Sequence, residues 1–254
     1  MAETPSAQQD RASALAIALD RAATTDDRID AIDVLCEASL LEDEVVDALI
    51  ALLSDGDSDV RAQAQSAFED APSPRAIEPL IAAIAREKRE NARWVYGVEI
   101  QRLCEALGAC GAGDPTAIDV LAQNLIVSES MYAALGAFDA LAKMGPKAEH
   151  ARSALEAIVR DANPWQRAQA HRALWAQDGD TERHVKALVP ILAETKEGGG
   201  SAAASAKLAL EFIGEPAIAV LEGPEFAKGP HAKRAAKAAE GVRARVARRA
   251  ARSK

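Results

Sequence analysis

Aromatic residues are scarce: four Phe, three Trp and two Tyr in 254 residues. β-Branched runs are few as well, so the sheet-rich cores that draw on these side chains are a poor fit. Cysteine is scarcer still. Cys36, Cys104 and Cys110 are an odd count and all lie within apolar helical patterns, which reads as reduced core residues and excludes a disulfide framework. The four histidines are scattered at 150, 171, 184 and 231. There is no P-loop, no G-x-G-x-x-G, no H-E-x-x-H and no C-x-x-C, so the usual phosphate, dinucleotide, zinc-protease and dithiol signatures are all missing. Cys104 and Cys110 are six apart, too far for a compact metal pair, and no local motif joins Ser, His and Asp into a nucleophilic site. No catalytic residue, metal or cofactor is therefore assigned.

Long hydrophobic runs are also lacking. The first apolar run, LAIAL (15–19), follows an acidic start and is closed by Asp20, which fits neither a leader peptide nor a membrane span. A reducing, cytoplasmic setting with no membrane is the expectation. The apolar content, 49% of the chain, is carried mostly by Ala and Leu, which suit helices. Charge is unevenly spread. Residues 1–60 hold 15 Asp and Glu against 3 Lys and Arg, whereas residues 228–254 hold 10 Lys and Arg against Glu240 alone. The overall net charge of −9 argues against a general nucleic-acid binder.

What the chain does have is repetition. RAQAQSAF (61–68) returns as RAQAHRAL (167–174), 106 residues later. The spacing i, i+3, i+4, i+7 gathers four side chains on one helical face. It is met from Val46 (with Leu49, Ile50 and Leu53), Ile77, Ile118, Ala151 and Val185. A weaker first copy runs over Ala12, Leu15, Ala16 and Leu19, and Ile218 with Leu221 make a truncated last one. Successive copies start 34, 31, 41, 33, 34 and 33 residues apart. A second helix lies between copies, anchored at Leu35, Phe68, Leu107, Leu141, Leu174 and Leu210, with almost the same period and one expansion in the same place. TTDD (24–27), SDGDSD (54–59), SES (128–130), DANP (161–164) and EGGGS (197–201) connect the helices within pairs. APSP, GAGDP, MGP and IGEP connect one pair to the next. A two-helix unit of this length buries its apolar face only by stacking on neighbours. The expectation is an all-α, right-handed α-solenoid of about seven helix pairs, with residues 1–227 as the array and 228–254 as a basic C-terminal capping helix or tail.

The segment LLSDGDSDVRAQAQSAFEDAPSPRAIEPLIAAI (52–84) resembles the short bacterial HEAT-like repeat first noted in phycobilin lyase subunits. The matching elements are the acidic loop before Val60 and Arg61, Ala64, and the run Pro74 to Leu80; GDPTAIDVL (113–121) repeats the last part. The resemblance covers roughly residues 10–223. It implies that the second helix of each pair lines the concave face. It fixes no activity, because HEAT-like arrays serve as adaptors, lyase subunits, glycosylases and hydroxylases. The chain has no His-Glu dipeptide, which removes the iron-binding hydroxylase reading. The leading expectation is a non-enzymatic scaffold or adaptor that holds a protein or peptide on its concave face. Its alternatives are a nucleic-acid binder similar to the HEAT-like alkylpurine DNA glycosylases, or a lyase- or chaperone-type subunit acting on a cofactor-bearing protein.

Three places are candidate sites. The expanded repeat holds Arg93, Trp94 and Tyr96 beside a basic cluster, a combination seen at interface hot spots, although a longer helix with Trp94 in the core is an equal reading. Arg61, and Trp165, Arg167 and His171 in and just before the second copy of the duplicated segment, are partner-binding candidates. A structural reading stands beside this one: Arg61 and Arg167 paired with the loop residues Asp59 and Asp161. Arg172 is a candidate to stack on Trp175, against a favoured reading with Trp175 in the core beside Leu174 and Arg172 solvated. DGDSD (55–59) lacks the Gly and Glu that a calcium loop needs at 60 and 66, and reads as a connector with Asp59 as helix cap. The third place is the basic end, where Arg243, Arg245, Arg248 and Arg249 would meet nucleic acid or an acidic protein surface. By the same logic the acidic first two repeats favour a basic partner.

Overall fold

The computed structural model describes residues 5–36, 42–90, 98–125, 130–194 and 199–252. These residues are helical throughout, joined by short connections and without a strand among them. They form two compact units, Met1–Ala140 and Leu141–Lys254. The first holds the pairs α1 (Pro5–Leu19) with α2 (Thr25–Cys36), α3 (Asp43–Leu52) with α4 (Ser58–Asp70), and α5 (Ile77–Glu90) with α6 (Val98–Cys110). Next come α7 (Pro115–Asp119), continued by a π turn to Leu125, and α8 (Met131–Met144), within which the boundary falls. The second unit holds α9 (Arg152–Asp161) with α10 (Pro164–Asp178), α11 (Thr181–Ile191) with α12 (Gly199–Ile213), and α13 (Glu215–Leu221) followed by the short α14 (Pro224–Ala227) and α15 (Ala232–Arg252). Helix pairs follow one another at the period read from the sequence. The chain has the HEAT-like α-solenoid fold.

The core is the repeat pattern made physical. Leu35, Phe68 and Leu107 are buried in the first unit and Leu141, Leu174 and Leu210 in the second, all at the expected anchors of the second helices. Val46, Leu49 and Leu53, then Leu80 and Ile84, then Val185, Leu188 and Val189 are buried from the first helices. Each such side chain contributes about 1.5–3 kcal/mol on leaving water.

Helix starts are fixed by side-chain caps. Asp57 accepts from Asp59 N and Val60 N, Asp114 from Ala117 N, Asn163 from Gln166 N and Asp180 from Arg183 N. The cap of α4 is therefore Asp57, and Asp59 sits in the first turn where its charge favours the helix dipole. Gly179 closes α10 at φ 68°, a conformation that disfavours any side chain.

Two other expectations shift. The buried face of α1 is Ala14 and Ala18, with Leu19 47% exposed, so the face read from Ala12 and Leu19 is out of register. The connector expected at 197–201 is shorter, because α12 begins at Gly199.

Gly108 and Gly136 mark the close crossing of α6 and α8. A Cβ at Gly136 of α8 would stand 2.7 Å from the carbonyl oxygen of Gln101 and 2.9 Å from its Cα, on α6. At Gly241 of α15 the nearest atom would be the Lys207 Cε, an ordinary 3.6 Å away. The same substitution will therefore have opposite signs. Gly136→Ala will destabilise by about 2 kcal/mol through overpacking against backbone. Gly241→Ala will stabilise by up to about 1 kcal/mol through helix propensity. Denaturant melts of both variants check this, and equal signs would refute it.

Candidate protein-binding groove

α12 and α15 are the second helices of the last two pairs, and both are rich in alanine. Ala202, Ala206, Ala209, Leu210 and Ile213 of α12 form one core with Ala235, Ala238, Ala239 and Val242 of α15. Where small residues also face outward, the two helices leave a groove of about 680 Å³. Its apolar lining is Leu192, Ala203, Ala204 and Ala238; Lys207, Arg234, Lys237 and Glu240 form its charged rim. Arg234, Lys237, Gly241 and Arg245 recur every three or four residues along α15, a stripe on one helical side about 17 Å long. Glu211 is buried beside the stripe, 3.7 Å from Lys207 and 3.5 Å from Arg245. Its carboxylate orders those two cations without cancelling the rim. Such a surface combines an apolar floor with donors suited to carboxylates.

The candidate residues of the sequence fall differently. Arg93, Trp94 and Tyr96 lie outside the described residues. Arg61 forks onto Glu99 of α6 at 2.7 and 2.8 Å and donates to the carbonyl of Asp55 at 2.9 Å. Arg167 reaches Glu194 at 3.2 Å. Both arginines thus act as staples to the next pair, but Asp59 and Asp161 are not their partners. Arg28, which occupies the same place 33 residues before Arg61, is the buried member of this set. It donates to both oxygens of Asp55, at 3.1 and 2.6 Å, and to the carbonyl of Ala18 at 3.0 Å.

Trp165 is half-buried against the core of the second unit. His171 is 6% exposed and so lies inside the unit, away from any partner surface. Its Nδ1 meets Nδ1 of His184 at 3.0 Å, and Nε2 of His184 meets Asp178 at 3.2 Å. The Arg172 guanidinium stacks on Phe212, 5.6 Å from its centroid, instead of on Trp175, whose indole N–H donates to Thr181 at 3.0 Å.

Of the basic end, Arg245 pairs with Glu211 and Arg243 with Glu222, while Arg248 and Arg249 are exposed near the end of α15. Lys207, Arg234 and Lys237 were not singled out from sequence. The periodicity of the α15 cations was the available signal for two of them.

Burial pushes the thiols of Cys36 and Cys110 up to about 11 and that of Cys104 further, so none is a ready nucleophile near neutral pH. Among the described residues no group of three or more His, Cys, Asp or Glu is placed to hold a metal ion, and no helix is long and apolar enough to cross a membrane.

Comparison with known proteins agrees on architecture. No family model and no curated protein matches the chain. Among solved structures, the fold recurs in a chain of the complex of CpcE and CpcF of phycocyanin lyase from Nostoc sp. PCC7120. The two are 18% identical with a TM-score of 0.50, over 91% of this chain and 94% of that one. At that identity the likeness is one of fold. It nonetheless corrects one expectation. The reading of this chain as not an enzyme is overturned, because a solved structure that shares its fold is a lyase complex.

Proposed function

We propose that this chain is a protein-binding subunit of lyase or chaperone type, which holds its partner by an acidic segment laid in the α12–α15 groove. The observation that carries this reading is the groove itself, an alanine and leucine floor edged by three cations, Lys207, Arg234 and Lys237, against one acid, Glu240. An amphipathic helix fits such a surface, with its apolar side on the floor and its carboxylates toward the rim. Affinity then comes from the desolvated floor, and the exposed cations supply steering and orientation. A solved structure with this fold is itself a complex of two different proteins, which is in keeping with a partner-dependent role. Nucleic acid fits less well, because the chain is acidic overall and its cations concentrate on α15.

The test compares the wild type with Lys207→Glu/Arg234→Glu/Lys237→Glu in capture from native lysate, with and without nuclease. The expected result is a stoichiometric protein retained by the wild type after nuclease and lost by the variant, with affinity down at least about tenfold. Equal retention by the variant would remove the groove from the account. Capture abolished by nuclease would transfer the reading to nucleic acid.

A further inference from the structure

The first unit carries a second groove, of opposite chemistry. α2 turns one side toward α4: the Thr25 hydroxyl donates to Asp57 at 2.6 Å and Arg28 pairs with Asp55. The other side of α2 presents Asp27, Asp30 and Val34, and α1 adds Asp10 and Ile17. Together they line a groove of about 420 Å³. Ile17 is 41% and Val34 48% exposed, both on the lining of the groove. These are two of the six large hydrophobics exposed among the described residues, and they share one groove. In a stacked array this is the side of a pair that another helix pair would cover. Asp10 and Asp30 have no ion pair among the described residues, so the acidic rim is uncompensated.

The matching surface is on α15. Gly241 and Arg245 mark the side of α15 that faces α12, through Lys207 and Glu211. Ala244, Ala247 and Ala251 lie around from that side, exposed, with Arg243 and Arg248 flanking them. Small side chains let a helix settle closely between two others. Arg248 is then placed to reach the aspartates of the rim, and Arg243 exchanges its exposed partner Glu222 for one of them. The charge balance supports the match over longer range, with 15 acids against 3 bases in residues 1–60 and 10 bases against one acid in residues 228–254.

We propose that the α1–α2 groove docks the Ala244–Ala247–Ala251 ridge of α15 from a second copy of this chain. The two surfaces differ, so the contact is head-to-tail and builds closed rings or open chains of copies. It leaves the α12–α15 groove open for the partner proposed above.

Sedimentation equilibrium of the full chain tests this from about 1 to about 100 μM, at about 0.05 M and about 0.5 M salt. The expected mass rises with concentration at low salt and falls back toward monomer at high salt. Asp27→Lys/Asp30→Lys and Arg243→Glu/Arg248→Glu are surface changes. Each alone will weaken association at least tenfold. Mixed together, the two variants will associate again, because each supplies the charge the other has lost. Arg234→Glu/Lys237→Glu, on the partner groove, will associate like the wild type. A wild type monomeric throughout would overturn the proposal, as would reversal variants that associate normally or a mixture that stays monomeric. Binding of a foreign basic peptide to a chain that never self-associates would assign the groove to another occupant.

Discussion

Arg28→Ala will cost the first unit about 3 kcal/mol. Arg28 and Asp55 are each 6% exposed at the side chain and face each other fork to fork. The hydrogen bond from Arg28 holds the Asp55 carboxyl below the usual carboxylate range, against the opposing pull of burial. Removing the guanidinium leaves a covered carboxylate with only the Asp57 N–H as partner, and the Ala18 carbonyl loses its donor. Only a thin layer of chain covers the pair, so nearby water softens the field, and the lower end of the range for a buried pair applies. Arg28→Met/Asp55→Leu removes both charges together and will cost less than the single change. In an array held by neighbour contacts the damage is local. Hydrogen exchange should therefore show α1 and α2 opening first, with the second unit unchanged. Equal stability of Arg28→Ala and wild type would show that the pair is solvated in practice. The acid limb has a definite sign. A carboxyl whose folded pKa is depressed stabilises above its unfolded value, and that share is lost as pH falls below about 4.

The sequence was a good guide wherever one periodicity dominated. Leu174 and Phe68 can be placed in the core because the eight residues around each are nearly duplicates. Register failed in α1 for an opposite reason. Ala12, Ala14, Ala16 and Ala18 alternate with Leu15, Ile17 and Leu19, so every face of the helix offers apolar residues and no pattern selects one. Packing selects Ala14 and Ala18, whose small side chains admit α2 closely. The arginine staples were half legible. Their position recurs with the repeat, but their acceptors sit 27 or 38 residues away on the next pair, and no local motif identifies a carboxylate at that distance. The groove between α12 and α15 was legible in its cations and hidden in its floor. Alanine announces a helix in the sequence, but whether it fills a core or leaves a space depends on the neighbour it meets.

The second large effect is acid sensitivity of the second unit, centred on His171 and His184. A carboxylate only accepts, so Nε2–H of His184 donates to Asp178, its Nδ1 accepts, and Nδ1–H of His171 donates across the 3.0 Å gap. Burial lowers the His171 pKa to about 4, with the charges of His184, Arg183 and Arg167 adding to it. Burial lowers His184 also, opposed by Asp178. The charged groups around the pair are Arg152 and Glu156 of α9, Arg167 and Asp178 of α10, and Asp180 and Arg183 at the start of α11. Both rings are therefore neutral at pH 7. Between pH 6.5 and pH 4 the unfolded chain binds protons that the folded chain refuses. Stability is thus complete above about pH 6.5, declines as pH falls through that value, and by pH 4 has lost about 3 kcal/mol from His171 alone. His171→Gln isolates this contribution. Gln65 fills the equivalent place in the second pair and is fully buried there, so the backbone accepts it. A glutamine N–H can replace the donor to His184. The variant should match the wild type at pH 7 to within about 1 kcal/mol and exceed it at pH 4.5 by about 2 kcal/mol. Urea titrations at the two pH values measure the difference. Parallel stability curves would mean that His171 reaches water on protonation and that the histidine pair does not set the acid limit of the fold.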